Sequence, residues 1–302
     1  MFHLAVVGAG RMGRTHVAAL QSMDDVAVIG VVEPVAQVRA ALAEQGIRTY
    51  ESVPSLLQDA APEAWLVAVP TPQHLVVIEA LVATGLPILC EKPAGSQVAQ
   101  TERIAELART HNVRIQVAYW RRFIPALRDL RDRLQSFDFG EIQAITCQQW
   151  DQAPPGAEFR AGSGGIFIDM GVHEIDQLRW LTGDELRPVA AIGRMDQPTG
   201  DFDSAQGLVE LTSGASGVIS LGRYHPPGDM VAVEVFGSRG QARVEVLEPA
   251  TGDLVFAQAL QAQVRGFLDG QGASLNDAIA AHRIASTLQQ RLSDSSRAGE
   301  FG

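Results

Sequence analysis

The sequence predicts an α/β fold: an N-terminal doubly wound parallel sheet, then a C-terminal α+β domain built on an open, mostly antiparallel sheet. Two observations lead to this prediction. Strand-like and helix-like segments alternate from residue 3 to about residue 120, as in parallel sheets with crossover helices. Strand-like runs then follow one another from Val189 to Leu247, and helical sequence ends the chain. We therefore expect domains over residues 1–120 and 121–293, with a flexible tail over 294–302.

The first strand-like run ends in a glycine-rich turn. Gly8, Gly10 and Gly13 have the spacing G-x-G-x-x-G between an apolar run and a helix-compatible segment. In this context Gly8 makes the turn, Gly10 lets a pyrophosphate approach, and Gly13 lets the helix pack on the strand. The helix start, with Arg11 and Met12, would present its N–H groups to the phosphates. The motif predicts a Rossmann-type dinucleotide-binding domain, with a plain glycine-rich turn as the alternative.

Glu33 ends the second strand-like run and lies 25 residues after Gly8. A carboxylate near this distance binds the adenosine ribose in dinucleotide-binding folds. No lysine or arginine follows Glu33 until Arg39, so the expected pocket has a hydroxyl acceptor and no evident phosphate partner. The sequence therefore predicts NAD rather than NADP as the cofactor, although a solvated glutamate at a strand end is an alternative.

The alternation predicts the strand order 3-2-1-4-5-6, which brings several irregular segments to one edge of the sheet. Ligands of such sheets bind outside the carboxyl ends of the strands. Pro70-Thr71-Pro72 follows the fourth strand, and Glu91-Lys92-Pro93 follows the fifth. We expect Lys92 beside the reactive end of the cofactor, although most lysines are solvated surface charges. The further residues expected to bind the cofactor are Pro70, Thr71, His74 and Glu91.

A second group of polar residues lies in the predicted helix of the C-terminal domain. Asp169, His173 and Asp176 have the spacing i, i+4, i+7, which places them on one helix face. A histidine flanked by carboxylates is held in one tautomer and accepts a proton readily. Helix capping by Asp169, a buried structural role for His173 and a metal site are the alternatives. Further metal ligands are not evident in the sequence, so we expect no metal.

Composition and charge exclude several classes of function. The formal net charge of −11 disfavours a nucleic-acid partner. Without a run of 18 apolar residues, a membrane span is not expected. Strand-like sequence begins by His3, which leaves no room for a signal peptide, and Cys90 and Cys147 form neither a disulfide framework nor zinc spacing. We expect a cytoplasmic protein.

The chain resembles the Gfo/Idh/MocA oxidoreductases, and among them the inositol 2-dehydrogenases. The resemblance rests on Gly8–His16, on Glu91-Lys92-Pro93 and on the run from Gly164 to Asp176, and it covers nearly the whole chain. It implies that Lys92, Asp169 and His173 are catalytic in hydride transfer from a ring secondary alcohol to NAD. His173 would take the hydroxyl proton, Asp169 would orient His173, and Lys92 would hydrogen-bond to the reacting oxygen. The residues expected to contact substrate are Lys92, Trp120, Arg121, Arg122, Asp151, Asp169, His173, Asp176 and Tyr224.

The substrate and several alternatives remain open at this point. Carboxylates favour an unphosphorylated cyclic polyol such as myo-inositol or a close isomer, whereas Arg121 and Arg122 could clamp a phosphate or carboxylate. A pyranose sugar dehydrogenase, an NAD-using lyase or glycosidase, and a non-catalytic dinucleotide sensor are the other candidates. We expect a second subunit on the open face of the C-terminal sheet, giving a homodimer or homotetramer.

Overall fold

The computed structural model describes residues 1–195 and 201–299. The chain forms two units: Met1–Tyr119 with Ala257–Asn276, and Trp120–Phe256 with the chain from Asp277 onward. The division falls between Tyr119 and Trp120, and each unit also takes in a segment from late in the chain, unlike the expected continuous domains over residues 1–120 and 121–293. The last helix continues to Gly299 where a flexible tail was expected from residue 294, and residues 300–302 of that tail lie outside the described residues.

The first unit is built on a twisted parallel sheet whose central strands are apolar and buried. Neighbouring strands follow the order 3-2-1-4-5-6, so the predicted topology is confirmed, and a short antiparallel strand, Ala273–Ser274, is added beside the sixth. The six parallel strands are β1 (Phe2–Val7), β2 (Val26–Val32), β3 (Thr49–Tyr50), β4 (Ala64–Val67), β5 (Ile88–Cys90) and β6 (Ile115–Val117).

Helices cover both faces of this sheet, as the crossover connections require. Val264 and Phe267, from late in the chain, join Leu4 and Leu20 in the buried core of the unit. This packing explains why Ala257–Asn276 belongs to the first unit and not to the second. The helices along this part of the chain are α1 (Arg11–Leu20), α2 (Ala36–Ala43), α3 (Val53–Asp59), α4 (His74–Leu81) and α5 (Val98–Thr110).

The second unit contains a six-stranded sheet, and its strands alternate between buried and exposed side chains. Among the described residues every neighbouring pair is antiparallel except the seventh and tenth strands, which run parallel, so the predicted open, mostly antiparallel sheet is confirmed. In spatial order, the strands are β12 (Gly240–Leu247), β11 (Met230–Gly237), β7 (Ile142–Trp150), β10 (Ser216–Gly222), β9 (Ser204–Leu211) and β8 (Leu186–Arg194).

Helices lie on one face of this second sheet. Gly207 and Gly217 lack side chains where Phe167, Leu288 and Leu178 pack against the sheet. The helices of this unit are α6 (Pro125–Gln135), α7 (Ala157–Gly162), α8 (Val172–Thr182) and α10 (Leu275–Gly299). Between them in the chain comes α9 (Gly252–Leu268), most of which belongs to the first unit. α7 lies within the proline- and glycine-rich segment Ala153–Gly165. No helix in the described part of the chain combines the length and apolar character that a membrane crossing needs.

The helix predicted around His173 consists of two different segments. A π-helical turn, Phe167–Gly171, precedes α8. Gly164 and Gly165 lead into this turn with φ values of +84° and +104°, which side chains other than glycine rarely adopt. Because Asp169 lies in the wider π-helical turn, it does not share a regular α-helical face with His173 and Asp176. This corrects the predicted single helix face, and only His173 and Asp176 lie together on α8.

Candidate active site

The glycine turn after β1 has the shape that a dinucleotide needs. A Cβ atom on Gly8 would lie 2.7 Å from the Ala68 carbonyl oxygen, and one on Gly13 would overlap the Gly8 carbonyl oxygen. A Cβ atom on Gly10 would meet no atom within 4 Å. Gly8 and Gly13 are therefore required by the packing of the chain itself, whereas Gly10 borders open space at the start of α1.

The first turn of α1 suits an anionic ligand. Gly10 is its N-cap residue, and neither a side-chain cap nor an acidic residue occupies its first turn. Arg11, which is exposed, and Met12, which is half-buried, begin the helix. The backbone N–H groups of this turn are suited to a pyrophosphate, aided by the helix dipole.

Glu33 is held at the end of β2 by main-chain donors. Its Oε2 accepts from the Ala9 N–H at 3.0 Å, and its Oε1 accepts from the Val35 N–H at 2.9 Å. A carboxylate oxygen has two acceptor positions, so each oxygen can still accept from a ribose hydroxyl. The glycine turn and Glu33 thus fit the two parts of a dinucleotide that the sequence assigns to them.

Arg39 lies closer to Glu33 than its position in the sequence suggests. Its Nη1 donates to the Glu33 carbonyl oxygen at 2.8 Å and to the Pro34 carbonyl oxygen at 2.7 Å. The guanidinium is therefore bound to the main chain of the turn that follows β2.

Lys92 is the only lysine in the sequence, and it follows β5 directly. The residue before it, Glu91, is buried and bound on both sides: its Oε1 lies 2.7 Å from His16 Nε2, and its Oε2 accepts from the Lys92 backbone N–H at 3.1 Å. Burial opposes ionisation of Glu91, but the hydrogen bond and charge of His16, with the charge of Lys92, outweigh it and lower the pKa of Glu91. Glu91 therefore joins α1 to the turn that presents Lys92.

His74 has a different environment from the one predicted. Its ring is buried, with Nδ1 3.0 Å from the Pro93 carbonyl oxygen and Nε2 2.9 Å from the Val69 carbonyl oxygen. Burial lowers the pKa of His74, and a neutral imidazole carries one N–H, so it donates to one of these oxygens at a time. The main chain thus occupies both ring nitrogens, and His74 links the segments that follow β4 and β5. Its role in cofactor binding stays a prediction. Beside this segment, Pro70 is exposed and Thr71 is half-buried.

The second unit brings His173 and Trp120 together. Their rings meet edge to face with centroids 6.1 Å apart, and both side chains are 7% exposed. Phe256 packs on Trp120 with centroids 4.9 Å apart. His173 is thus a buried histidine with an aromatic wall, on a helix that also carries two buried carboxylates, Glu174 and Asp176.

Arg121 belongs to a buried chain of polar side chains. It forms an ion pair with Glu174, and its Nη2 donates to Gln149 Oε1 at 2.6 Å. Gln149 Nε2 in turn donates to Asp151 Oδ1 at 2.9 Å. Burial raises the pKa of Glu174, and Arg121 opposes this shift. Arg121 therefore reaches Asp151 through Gln149, and its guanidinium is occupied by protein groups.

Asp169 is paired with an arginine that the sequence analysis did not single out. Arg223 Nη1 lies 2.9 Å from Asp169 Oδ2, and the Arg223 side chain is fully buried. Arg223 directly follows the apolar strand β10, and a lone cation after a buried strand was the available signal. Tyr224, the next residue, is 43% exposed.

Across residues 1–195 and 201–299, no group of three or more His, Cys, Asp or Glu side chains is arranged to hold a metal ion.

Two family models match this protein, one in each half of the chain. The family described as the oxidoreductase family with an NAD-binding Rossmann fold matches residues 2–119, and the GFO/IDH/MocA C-terminal domain matches residues 127–243. The chain belongs to the Gfo/Idh/MocA oxidoreductase family. The resemblance predicted from the sequence is thereby confirmed, and NAD is the cofactor of this oxidoreductase.

Relatives in this family cover nearly the whole chain. The chain is 41% identical over 304 residues to the rhizopine catabolism protein MocA of Rhizobium meliloti, covering 97% of this chain and 95% of that protein. It is 33% identical over 282 residues to the myo-inositol dehydrogenase Hyg17 of Streptomyces leeuwenhoekii, covering 88% and 87%. Its fold matches that of scyllo-inositol dehydrogenase from Lactobacillus casei, solved with NAD(H) and scyllo-inositol, with a TM-score of 0.85, 24% identity and 98% of each chain covered.

Proposed function

We propose that this family member oxidises a ring secondary alcohol of an unphosphorylated cyclic polyol to a ketone, with myo-inositol or a close isomer as the first candidate. NAD supplies the hydride acceptor. The observation that carries the proposal is the buried His173, which lies against Trp120 and follows Asp169 in the π-helical turn. Relatives named for inositol oxidation support the same chemistry.

His173 is the proposed general base. In alcohol oxidation the hydroxyl proton must leave as the hydride leaves the same carbon, so a proton acceptor is needed beside the hydroxyl. An imidazole can accept this proton near neutral pH, and a nearby carboxylate stabilises the resulting cation. Asp169, four residues before His173, is the proposed carboxylate.

Lys92 is the proposed donor of a hydrogen bond to the reacting oxygen. Its main chain is bound to Glu91, and Glu91 is bound to His16, so the turn that carries the ammonium group is held on both sides. A cation at the reacting oxygen stabilises the negative charge that develops as the proton departs.

The pairing of the two arginines supports an unphosphorylated substrate. Arg121 is bound by Glu174 and Gln149, and Arg122 is bound by Asp176. A phosphate clamp would need these guanidinium groups to exchange buried carboxylate partners for the ligand, which is costly in a desolvated site. We therefore retain the polyol over a sugar phosphate.

A substrate panel tests this proposal. NADH formation is measured with myo-inositol, scyllo-inositol, rhizopine, glucose, glucose 6-phosphate and a sugar acid at equal concentration. Rhizopine is included because the 41% identical relative is named for its catabolism. We expect the highest kcat/KM among the inositols and rhizopine.

Three other results would contradict the proposal. Preference for the phosphate or the acid would mean that the arginines define the pocket. Release of an aglycone without net NADH would favour a lyase or glycosidase. NAD binding without turnover of any compound would favour a dinucleotide sensor.

We further propose that a second copy of the chain covers the open face of the second sheet. Ile192, Leu208 and Phe236 are 64%, 40% and 40% exposed on this face. Apolar side chains of this size in a continuous sheet favour an interface between subunits. Light scattering should give the molar mass of a dimer or tetramer for the parent protein. Leu208→Asp should shift this mass toward that of the monomer. A monomeric parent protein would contradict this proposal.

The proposed location is the cytoplasm. Cys90 and Cys147 are buried free thiols, and burial raises the pKa of Cys147 to about 12. Such thiols suit a reducing compartment. Fractionation of cells that produce the protein tests this location.

A further inference from the structure

Arg223 lies between Asp169 and a second buried carboxylate. Its Nη1 is 2.9 Å from Asp169 Oδ2, and its Nη2 is 2.9 Å from Asp201 Oδ2. The two nitrogens of one rigid guanidinium thus serve two different carboxylates. The orientation of the Arg223 plane is therefore fixed from the Asp201 side, and this in turn fixes the position of Asp169 Oδ2.

A second arginine, Arg160, binds the other two carboxylate residues of this cluster, Asp201 and Asp203. Arg160 Nη2 is 2.9 Å from Asp203 Oδ1 and also donates to the Asp201 carbonyl oxygen at 2.9 Å. Arg160, Asp201, Asp203 and Arg223 are all at most 4% exposed. Asp169, with its side chain 13% exposed, is the most accessible member of the cluster.

Buried clusters of charge such as this one contribute little net free energy to folding. Desolvation of buried charges offsets most of their attraction, and apolar side chains of the same volume often give equal or greater stability. What such a network supplies is a fixed geometry, because each charged group must stay with its partners. The accessible end of this one is Asp169, in a π-helical turn of the kind often found at functional sites.

We propose that Arg223 is a positioning residue that holds the Asp169 carboxylate in its working orientation for His173. This inference rests on the proposed function, because Asp169 and His173 have their roles only there. Arg223 acts through Asp169 and does not itself contact the substrate.

Paired variants test this inference. Arg223→Met removes the cation, and Arg223→Lys keeps the charge but loses the fork. Arg160→Met and Arg160→Lys are the matched controls, because Arg160 pairs with Asp203 at 2.9 Å and reaches Asp201 Oδ2 only at 3.6 Å, whereas Arg223 binds Asp169 directly. We expect Arg223→Met to lower kcat about 10²-fold with KM changed less than about threefold, as for a misplaced catalytic group.

Arg223→Lys should recover part of the lost kcat. The Arg160 variants should lower the melting temperature while kcat stays within about threefold of the parent. If the Arg223 and Arg160 variants lose the same share of kcat, the role of Arg223 is structural and the inference is wrong.

A second readout does not depend on turnover. The imidazole signals of His173, identified by their loss in His173→Gln, are followed by NMR against pH. Arg223→Lys keeps the cation but loses the fork, so a displaced Asp169 should stabilise the imidazolium less and lower the His173 titration midpoint, whereas Arg160→Lys should lower it less. An unchanged midpoint in Arg223→Lys overturns the inference, even in a protein that oxidises no polyol. Failure of the wild type in the substrate panel counts separately against the proposed function. If Arg223→Met does not fold, Arg223→Lys decides by its kcat.

Discussion

Arg122 holds the Asp176 carboxylate by both oxygens, with Nη2 2.5 Å from Oδ1 and Nε 2.9 Å from Oδ2. Asp176 is 2% exposed, so this fork is buried on its carboxylate side. The sequence predicts that both residues bind the substrate. Their mutual pairing ties the segment Trp120–Phe123 to α8, and any contact of either residue with a substrate is made in addition to this pair.

Arg122→Ala should therefore lower stability strongly. Removal of one partner leaves Asp176 as an uncompensated buried charge, which costs about 3–5 kcal/mol in the free energy of unfolding. Urea unfolding of the parent and the variant measures this difference. Arg243→Ala is the control, because Arg243 forms ion pairs in the same unit while about half exposed, and such pairs contribute about 0–1 kcal/mol. Equal losses in the two variants would mean that the buried Arg122–Asp176 pair contributes no more to the free energy of unfolding than an exposed ion pair.

The three glycines of the turn after β1 should separate into two classes. Gly10→Ala meets no atom of the protein, so the melting temperature should stay near that of the parent while the Kd for NAD rises. Gly13→Ala places its Cβ on the Gly8 carbonyl oxygen, so the fold itself should be destabilised. Thermal unfolding and NAD titration of both variants check this. Tight NAD binding by Gly10→Ala would mean that the pyrophosphate does not approach this residue.

Glu33 should make the enzyme prefer NAD over NADP. A 2′-phosphate within about 4 Å of the carboxylate would be opposed by roughly 1–4 kcal/mol per unit-charge pair, which is about a five- to thousandfold loss. Glu33→Ser should reduce this preference, because Arg39 is bound to the carbonyl oxygens of the same turn and can pair with a phosphate there. The ratio of kcat/KM with NAD to kcat/KM with NADP measures this preference in the parent and in Glu33→Ser. Equal values in the parent would rule out this role of Glu33.

The sequence was sufficient to predict those parts of the fold that depend on residues close together in the chain. Glycine spacing, apolar strand runs and strand ends are local, so the parallel sheet, its order and the turn at Gly8 follow from them. The pairs Arg122–Asp176 and Arg223–Asp169 each join residues 54 apart, and no local period specifies them. The π-helical turn also contacts a residue far away in the sequence, since Gln289 Oε1 accepts from the Phe167 N–H at 3.1 Å, and no local pattern indicates such a contact.

Lys92→Ala and His173→Ala should each lower kcat by roughly 10²–10⁴, the usual share of a positioned acid–base group. NAD binding should change little, because the glycine turn and Glu33 supply it. Since Lys92 is the only lysine, reductive methylation with a ¹³C label adds one side-chain signal besides the amino terminus, and this signal should respond to NAD and to substrate. A variant within about threefold of the parent in kcat would show that its residue is structural.

His282 should make the second unit less stable in mild acid. Its ring is 2% exposed on α10, and burial lowers its pKa to about 4 from an ordinary value of 6.5. Between these two values the unfolded chain binds a proton that the folded chain does not. The free energy of unfolding therefore falls as the pH falls through this window, by at most about 1.4 kcal/mol per pH unit, and no further loss from this group follows below the lower value.

Urea unfolding at several pH values between about 7.5 and 4.5 measures this slope in the parent and in His282→Leu, which cannot titrate. The variant should lose about 2–3 kcal/mol less than the parent over this range. His74, whose pKa is also lowered by burial, contributes to the slope of both proteins and cancels in the comparison. His111→Gln, at an exposed position, controls for the removal of a histidine and should keep the parent's slope. If His282→Leu also keeps the parent's dependence of the free energy of unfolding on pH, protonation of His282 does not cause the loss of stability in acid.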